Sequence, residues 1–368
     1  DVMAPEAGAL RSPMAAAAIQ AAPATQGAVP VAQGAPPTAA NTIDIAIGYT
    51  SRTPAGAEVI DTFVVRLVGS AFKLVGDGHA YPGHVYPFMQ HRRFDATGTT
   101  AWNYRSTGYV TQVINRVDLR TGLPIFDRVE VVTPGGATLE MRPAAATQEL
   151  VLMGGGGRSN TSYVRLRSAF EEAGATGTPA AVESPDIFFL DQDLSDAEVA
   201  AIPAQSVWTY RYYLAANPTV VAATQHYRTR ARALTIPELH TRALASFGPQ
   251  TLASFQAAGA DGVVDLAGQP GVSLGWTVPE GAVPPVQAIL FGKLAGGAPF
   301  TDYVDVASTD RQTTIPCVTA TAADAHCTSE VPRRFAPGTV ATGAYLLARE
   351  RSGRELATFY ATSRVPVN

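Results

Sequence analysis

Residues 62–75 read TFVVRLVGSAFKLV, and this stretch indicates most directly which fold the chain adopts. Its first run has apolar residues at alternate positions, Phe63, Val65 and Leu67, which is the period of two that a β-strand requires. A Gly-Ser pair at 69–70 follows, and a two-residue turn that begins with Gly is typical of a β-hairpin. The stretch therefore predicts two antiparallel strands joined by a tight turn.

Short runs of the same kind continue along the chain and are separated by frequent turns. They predict strands at 109–117, 125–132, 139–142, 163–170, 187–190, 207–214 and 219–233. Such close spacing is typical of β-sandwiches and barrels, so we expect residues 42–234 to form one large β domain of that kind.

Two short segments carry the residues that start helices. Ser195 is followed three positions later by Glu198, and Thr235 by Glu238, so that each pair can form a capping box. The second pair opens an apolar stretch that is interrupted by Gly-Pro at 248–249. We therefore predict two short helices, which make residues 235–261 a helical connector between β domains.

The alternating pattern returns after residue 262. Val272, Leu274 and Trp276 occupy alternate positions, and strands predicted at 342–350 and 356–361 flank a turn at 351–354. In length and strand pattern, residues 262–368 resemble immunoglobulin-like and fibronectin-type-III-like sandwiches. The resemblance implies an independent sandwich with Trp276 and Tyr345 at core positions.

The composition fits a mainly β chain with more than one core. The 368 residues include 33 Gly and 27 Pro, which favour turns over long helices, and 46% are apolar. A chain of this length usually forms two or more domains. We therefore expect two or more antiparallel β-sandwich domains, a short helical connector and an extended N-terminal arm.

The predicted arm is residues 1–41, which are rich in Ala and Pro. The first 40 residues hold 15 Ala, 6 Pro and three charged side chains. Such a segment cannot build a core of its own, so ordering it requires another surface. We expect it to dock on a neighbouring copy of the chain, although its own domain is an alternative.

The two cysteines, Cys317 and Cys327, lie ten residues apart with Pro316 beside the first. This spacing predicts a loop closed by a disulfide, which indicates an oxidising compartment; two buried thiols are the alternative. A first residue other than Met fits removal of a leader. We expect an extracytoplasmic bacterial protein, secreted or at the cell surface. With His326 the cysteines offer too few ligands for zinc.

Charge and hydropathy argue against two classes of partner. The net charge is −4, whereas nucleic-acid binding requires a basic excess. The sequence contains no run of 18 apolar residues, so it predicts no membrane-spanning helix.

Histidines and aromatic residues are concentrated in one region. A metal ion or a sugar ring could use such side chains, although the spacing matches no metal motif and the prolines at 82 and 87 favour an ordinary loop or edge strand. The candidate ligand-binding residues are His79, Tyr81, His84, Tyr86, His91, Trp102 and Tyr104.

Asp191 and Asp193 are candidate calcium ligands because carboxylates at alternate positions suit that ion. The segment is not an EF-hand, since Asp196 replaces its Gly and Ile202 its final Glu. We therefore expect no cofactor, with calcium as the alternative.

His226, Arg228, Arg230 and Arg232 lie at even spacing and would form a basic face on one strand. Such a face could bind an acidic glycan or an acidic subunit surface. A solvated edge that prevents aggregation is the favoured alternative.

Three functions compete. The first is an assembly subunit of a surface layer, sheath or filament. The arm, the low fraction of charged residues (16%) and the tandem β modules favour it. A module that binds carbohydrate and an extracellular hydrolase are the alternatives. We favour a non-enzyme because the chain has no Gly-x-Ser-x-Gly elbow and no phosphate-binding loop.

Overall fold

The computed structural model describes residues 42–52, 58–76, 79–95, 102–144, 149–154, 157–158, 161–171, 188–189, 194–256, 263–318 and 325–362. These residues belong to two compact units that meet in sequence between Tyr81 and Pro82. The predicted arm, 1–41, lies outside the described residues.

The N-terminal unit contains a three-stranded antiparallel sheet. Its strands are β1 (Thr42–Arg52), β2 (Glu58–Val68) and β3 (Ala71–Gly76), in that order across the sheet. Val68 pairs with Ala71, and Gly69 has a φ of +64°, which a Gly adopts without strain. The predicted hairpin is therefore confirmed.

The described part of the large unit contains the remaining strands and three short helices. The strands of its first half are β4 (His84–Phe94), β5 (Trp102–Gln112), β6 (Phe126–Val132), β7 (Thr138–Arg142), β8 (Val151–Gly154), β9 (Gly157–Arg158), β10 (Tyr163–Phe170) and β11 (Phe188–Phe189). There follow α1 (Asp196–Ala200), β12 (Val207–Leu214), β13 (Asn217–Arg228), α2 (Ile236–Thr241), β14 (Ser246–Phe247) and α3 (Pro249–Gln256). The last elements are β15 (Val264–Asp265), β16 (Gly271–Thr277), β17 (Gln287–Lys293), β18 (Pro299–Asp305), β19 (Gln312–Pro316), β20 (Val340–Arg349) and β21 (Glu355–Ala361).

Three sheets organise the large unit. The largest has the strand order β11-β10-β5-β4-β21-β20-β17-β18, with β15 paired to β20. A second has the order β13-β12-β6-β7-β8-β9, and a third the order β14-β16-β19. Most pairs are antiparallel, so the predicted mainly β fold is confirmed.

The predicted helix starts are also confirmed. In α1 the backbone N–H of Glu198 donates to Ser195 Oγ at 3.3 Å, and the Ser195 N–H donates to the Glu198 carboxylate at 2.7 Å. Before α2, the Thr235 N–H donates to Glu238 at 2.8 Å. No helix in the described ranges is long and apolar enough to cross a membrane.

A sandwich core lies between the largest sheet and the β14-β16-β19 sheet. Leu274 and Trp276 of β16 are buried there together with Leu290 of β17 and Leu346 of β20. Tyr345 is buried as well, but in a separate cluster with Ile289 and Leu347, so it does not share this core with Trp276. Trp276 therefore occupies the expected core position, and Tyr345 contributes elsewhere.

The second face-to-face contact joins the largest sheet to the β13-β12-β6 end of the second sheet. The ring of Tyr109 lies 4.8 Å from that of Trp208, centroid to centroid, and the Tyr210 hydroxyl donates to the His84 carbonyl at 2.9 Å. Both sandwich-like layers therefore share the largest sheet.

The prolines at 82 and 87 suggested a loop or an edge strand. Pro82 does lie in the irregular segment before β4, but the interpretation is wrong for Pro87, which lies inside β4. Residues from His84 form β4, which lies inside the largest sheet between β5 and β21. Pro87 has no N–H to donate. The parallel pairing with β21 begins one residue later, at Phe88, so no hydrogen bond to that strand is lost.

The sequence predicted separate domains at 42–234 and 262–368 with a connector at 235–261, and the pairing of β21 with β4 crosses these boundaries. It joins the segment after residue 262 to the first part of the unit, and Leu356 packs with Met89, Leu234 and Leu239. The predicted boundary at 262 thus falls inside one compact unit. The family resemblance of 262–368 stays a prediction.

Candidate interaction surface

The N-terminal sheet has one face that is apolar across all three strands. Pairing places Ile45 opposite Val65 and Ile47 opposite Phe63, and cross-strand partners share a face of the sheet. On the other side of β2, Val65 pairs with Leu74 and Leu67 with Phe72. We call the set Ile45, Ile47, Phe63, Val65, Leu67, Phe72 and Leu74 the N-terminal apolar face.

Much of this face is open to solvent. Leu74 is 72% exposed, Phe72 63%, Ile45 40% and Ile47 38%. The opposite face carries the cross-strand pair Arg66 and Lys73. A sheet with one apolar face normally buries it against a second layer, and contiguous exposed apolar patches mark interaction sites.

The large unit also has exposed apolar side chains, on the connection between β5 and β6 and at the start of β13. Leu119 is 85% exposed, Leu123 64% and Val220 54%. These residues lie in loops and at a hairpin end, where single exposed apolar side chains are ordinary. The N-terminal apolar face differs because regular strand pairing makes it continuous.

The structure divides the predicted histidine and aromatic set between the units. His79 and Tyr81 are half-buried in the N-terminal unit. In the large unit His84 is half-buried, whereas Tyr86 and Tyr104 are buried at 7% and 0% exposure. A sugar platform needs exposed ring faces, so these two tyrosines are removed from that interpretation. The side chain of Trp102 is not described.

His91 also has a structural partner. Its Nε2 lies 2.5 Å from Asn103 Oδ1 on the neighbouring strand β5, with His91 and Arg105 as cross-strand partners. Burial lowers the pKa of His91, because a charged imidazole loses hydration there. A metal ligand role is not indicated by these contacts.

The predicted basic face is shorter than expected, because β13 ends at Arg228. His226 is exposed and its Nδ1 lies 3.0 Å from Thr209 Oγ1, while Arg228 donates to the Gln205 carbonyl at 2.8 Å. Arg230 and Arg232 follow the strand and are half-buried.

Arg232 has a structural role. It forms a two-point ion pair with Glu238 at the start of α2, with N–O distances of 2.5 and 2.9 Å. This pairing lowers the pKa of Glu238 to about 2. The basic face is therefore reduced to His226 and Arg228.

The candidate calcium ligands, Asp191 and Asp193, lie outside the described residues. Asp196, which follows them, is described at the start of α1. Its carboxylate accepts the Ile236 N–H at 2.9 Å, which ties α1 to the beginning of α2.

A buried charged cluster that the sequence did not suggest lies on β4, β10, β20 and β21. Glu355 accepts hydrogen bonds from Tyr163 at 2.6 Å and from its cross-strand partner Arg349 at 3.0 Å. The Arg349 guanidinium also lies 4.8 Å from the centre of the Tyr86 ring. Because both Glu355 oxygens are engaged internally, the cluster is suited to joining strands.

Glu149 lies near this cluster. Its carboxylate accepts from Ser162 Oγ at 3.2 Å and from the Gln112 amide. Burial raises the pKa of Glu149 to about 7, and the negative charge of Glu355 adds to this effect. Glu149 therefore titrates near neutral pH.

The predicted disulfide between Cys317 and Cys327 is confirmed. His326, next to Cys327, places Nε2 3.1 Å from both carboxylate oxygens of Asp302. All four residues are buried. Asp302 was not predicted, because it lies on β18 and only the sheet brings it to the disulfide.

Comparison with known proteins assigns no class to the chain. No protein-family model matches it, and no curated protein is significantly similar to it. The function must therefore be argued from the residues.

Proposed function

We propose that the protein is an extracytoplasmic assembly subunit and that its N-terminal apolar face binds a second copy of the chain. The observation that carries this proposal is the exposure of Phe72 and Leu74 on a face where apolar residues pair across all three strands. Fully burying a large apolar side chain is worth about 1.5–3 kcal/mol, so covering this face drives association.

A second copy is the occupant that fits best, because an apolar row that crosses all three strands can pack on the same row of another chain. Two such sheets stacked about a two-fold axis would form a sandwich, with layers about 10 Å apart. The net charge of −4 is small for 368 residues and opposes this contact weakly.

The predicted arm extends the same proposal. A two-fold contact through the apolar face closes at a dimer, so an arm that precedes β1 and docks on a further copy would supply the second contact that an extended assembly needs. The disulfide fits assembly in an oxidising compartment. A surface layer, a sheath and a filament are the assemblies that we propose.

The test measures the mass of the purified full chain by analytical ultracentrifugation over a wide concentration range. We expect the wild type to associate and the Phe72→Glu/Leu74→Glu variant to remain monomeric. A loss of about 2 kcal/mol at each side chain weakens association about 30-fold per residue.

Two matched controls locate the contact. Lys73→Glu changes the opposite face of the same strand, and Leu119→Glu replaces an exposed apolar side chain of the large unit. Both variants should associate as the wild type does. A monomeric wild type overturns the proposal, as does association that only Leu119→Glu abolishes. In the first case, glycan binding becomes the leading proposal.

A further inference from the structure

The disulfide region contains a set of side chains that metal ions bind. Cys317 follows β19, His326 and Cys327 lie in the segment before β20, and Asp302 is on β18. One potential ligand atom from each of these four residues lies within 4.8 Å of the other three. All four side chains are buried, so the sheet and the loops fix their positions.

The histidine is arranged as in many metal sites. A histidine that binds a metal through one ring nitrogen commonly gives its other N–H to a carboxylate, which fixes the ring. The Asp302 carboxylate lies 3.1 Å from Nε2 of His326 and can accept its N–H in this way. The imidazole ring also stacks on the Phe300 ring, with centroids 4.6 Å apart and planes at 15°. Nδ1 is buried and has no hydrogen-bond partner among the residues that the structure describes.

We propose that the reduced form of this region is a binding site for a thiophilic divalent cation such as Zn²⁺. Cys317, Cys327 and Nδ1 of His326 are the three protein ligands, and Asp302 orients the imidazole. Three ligands are too few for a closed structural site, so a water molecule completes the tetrahedron. A tetrahedral zinc site with bonds of 2.0–2.3 Å needs ligand atoms roughly 3.3–3.8 Å apart. The ligand atoms of the four residues already lie within 4.8 Å of one another, and breaking the sulfur–sulfur bond frees both cysteine side chains to rotate.

Disulfide and metal exclude each other at this site. Reduction by a dithiol transfers two electrons to the Cys317–Cys327 bond, two protons complete the thiols, and the dithiol itself becomes a disulfide. Zn²⁺ then binds the two thiolates and releases their protons. The same loop is therefore closed by a covalent bond under oxidising conditions and by a metal ion under reducing conditions.

The test uses the full chain and Co²⁺, whose visible spectrum reports tetrahedral thiolate ligation. The protein is reduced with a phosphine, folding is followed by circular dichroism, and Co²⁺ is titrated and then displaced with Zn²⁺. We expect the reduced chain to bind one Co²⁺ and to show a thiolate charge-transfer band. The oxidised protein should bind no Co²⁺ at this site and show no such band.

Variants separate this site from incidental binding. His326→Gln should lower the affinity for Co²⁺, Asp302→Asn should lower it about 10–100-fold, and Cys317→Ser/Cys327→Ser should abolish the charge-transfer band. The matched control is His240→Gln, because His240 is exposed and far along the chain from both cysteines.

Three results would overturn the proposal. A reduced, folded protein that binds no Co²⁺ excludes the site. Unchanged affinity in His326→Gln excludes the ligand set. A reduced chain that unfolds and is not refolded by Zn²⁺ or Co²⁺ shows that the loop requires the covalent bond.

Discussion

The phenol of Tyr163 donates a 2.6 Å hydrogen bond to Oε1 of Glu355, a residue 192 positions further along the chain. The other oxygen of Glu355 accepts from Arg349 at 3.0 Å, and these two charged side chains are 3% and 4% exposed. One carboxylate thus connects β10 with β20 and β21, deep inside the largest sheet.

Replacing Glu355 should therefore destabilise the fold more than replacing Tyr163. Glu355→Gln leaves the buried Arg349 charge without its counter-ion, which costs about 3–5 kcal/mol, whereas Tyr163→Phe removes one hydrogen bond to a charged group, worth about 1.5–3 kcal/mol. Urea unfolding followed by fluorescence measures both. Asp118→Asn is the control, because its 4.0 Å pair with Arg120 is exposed. The reverse order of the two effects would contradict the contact geometry.

Glu149 should make stability depend on pH. Burial raises its pKa from 4.5 to about 7, so between these values the unfolded chain has released a proton that the folded chain still holds. The contribution of protonated Glu149 to the free energy of unfolding is therefore complete below pH 4.5 and is lost as the pH rises to about 7. The residue as a whole is half-buried, but its carboxylate contacts the buried Gln112 and Ser162, and we expect a change of about 2 kcal/mol.

The variant Glu149→Gln isolates this effect because it cannot titrate. Relative to the wild type, it should gain stability steadily from pH 4.5 to 7 and show a constant difference above pH 7. Urea unfolding at closely spaced pH values measures the difference. Parallel pH profiles for the two proteins would show that Glu149 keeps an ordinary pKa.

The disulfide should stabilise the fold and leave no reactive thiol. Thiol labelling of unreduced, unfolded protein should modify neither cysteine. Removing the bond in Cys317→Ser/Cys327→Ser frees a loop of ten residues in the unfolded chain, which costs about 3 kcal/mol. Thermal unfolding checks this value. Two labelled thiols in the wild type would instead indicate that the bond does not form in the purified protein.

A fragment that begins at residue 262 tests the predicted boundary. The alternating pattern alone predicts that 262–368 folds by itself, but in the intact unit Leu356 packs on Leu234 and Leu239, and Thr358 donates to the Ala245 carbonyl at 2.6 Å. The fragment loses all of these partners, so we expect weak or non-cooperative melting. A fragment from Pro82 onward is the matched control and should melt cooperatively. Equal stability of the two would restore the boundary at 262.

Local pattern predicts single strands well in this chain. The strands expected at 163–170 and 207–214 have the bounds of β10 and β12, because alternation and turn residues are both local. The strand expected at 219–233 ends instead at Arg228, since evenly spaced charges beyond it mimic the alternation. β4 was missed because Pro87 within it and Pro82 before it suggested an irregular segment.

Contacts between distant segments are what the sequence could not provide. The cysteine pair was predicted because its members are close in sequence, whereas Asp302 reaches His326 only through the pairing of β17 with β18 and the packing of the loop. The pattern of residues 62–75 likewise identified the apolar side of a hairpin. It did not show whether another layer covers that side, since alternation specifies a face and not its neighbour.

The parallel pairing of β4 with β21 also sets an order of events during synthesis. β4 begins at His84, yet its neighbour in the largest sheet begins at Glu355, so the ribosome must make the intervening chain before this pair can form. Until then one edge of β4 stays unsatisfied, and contacts between residues so far apart close slowly. The largest sheet can therefore be completed only after β21 has been synthesised.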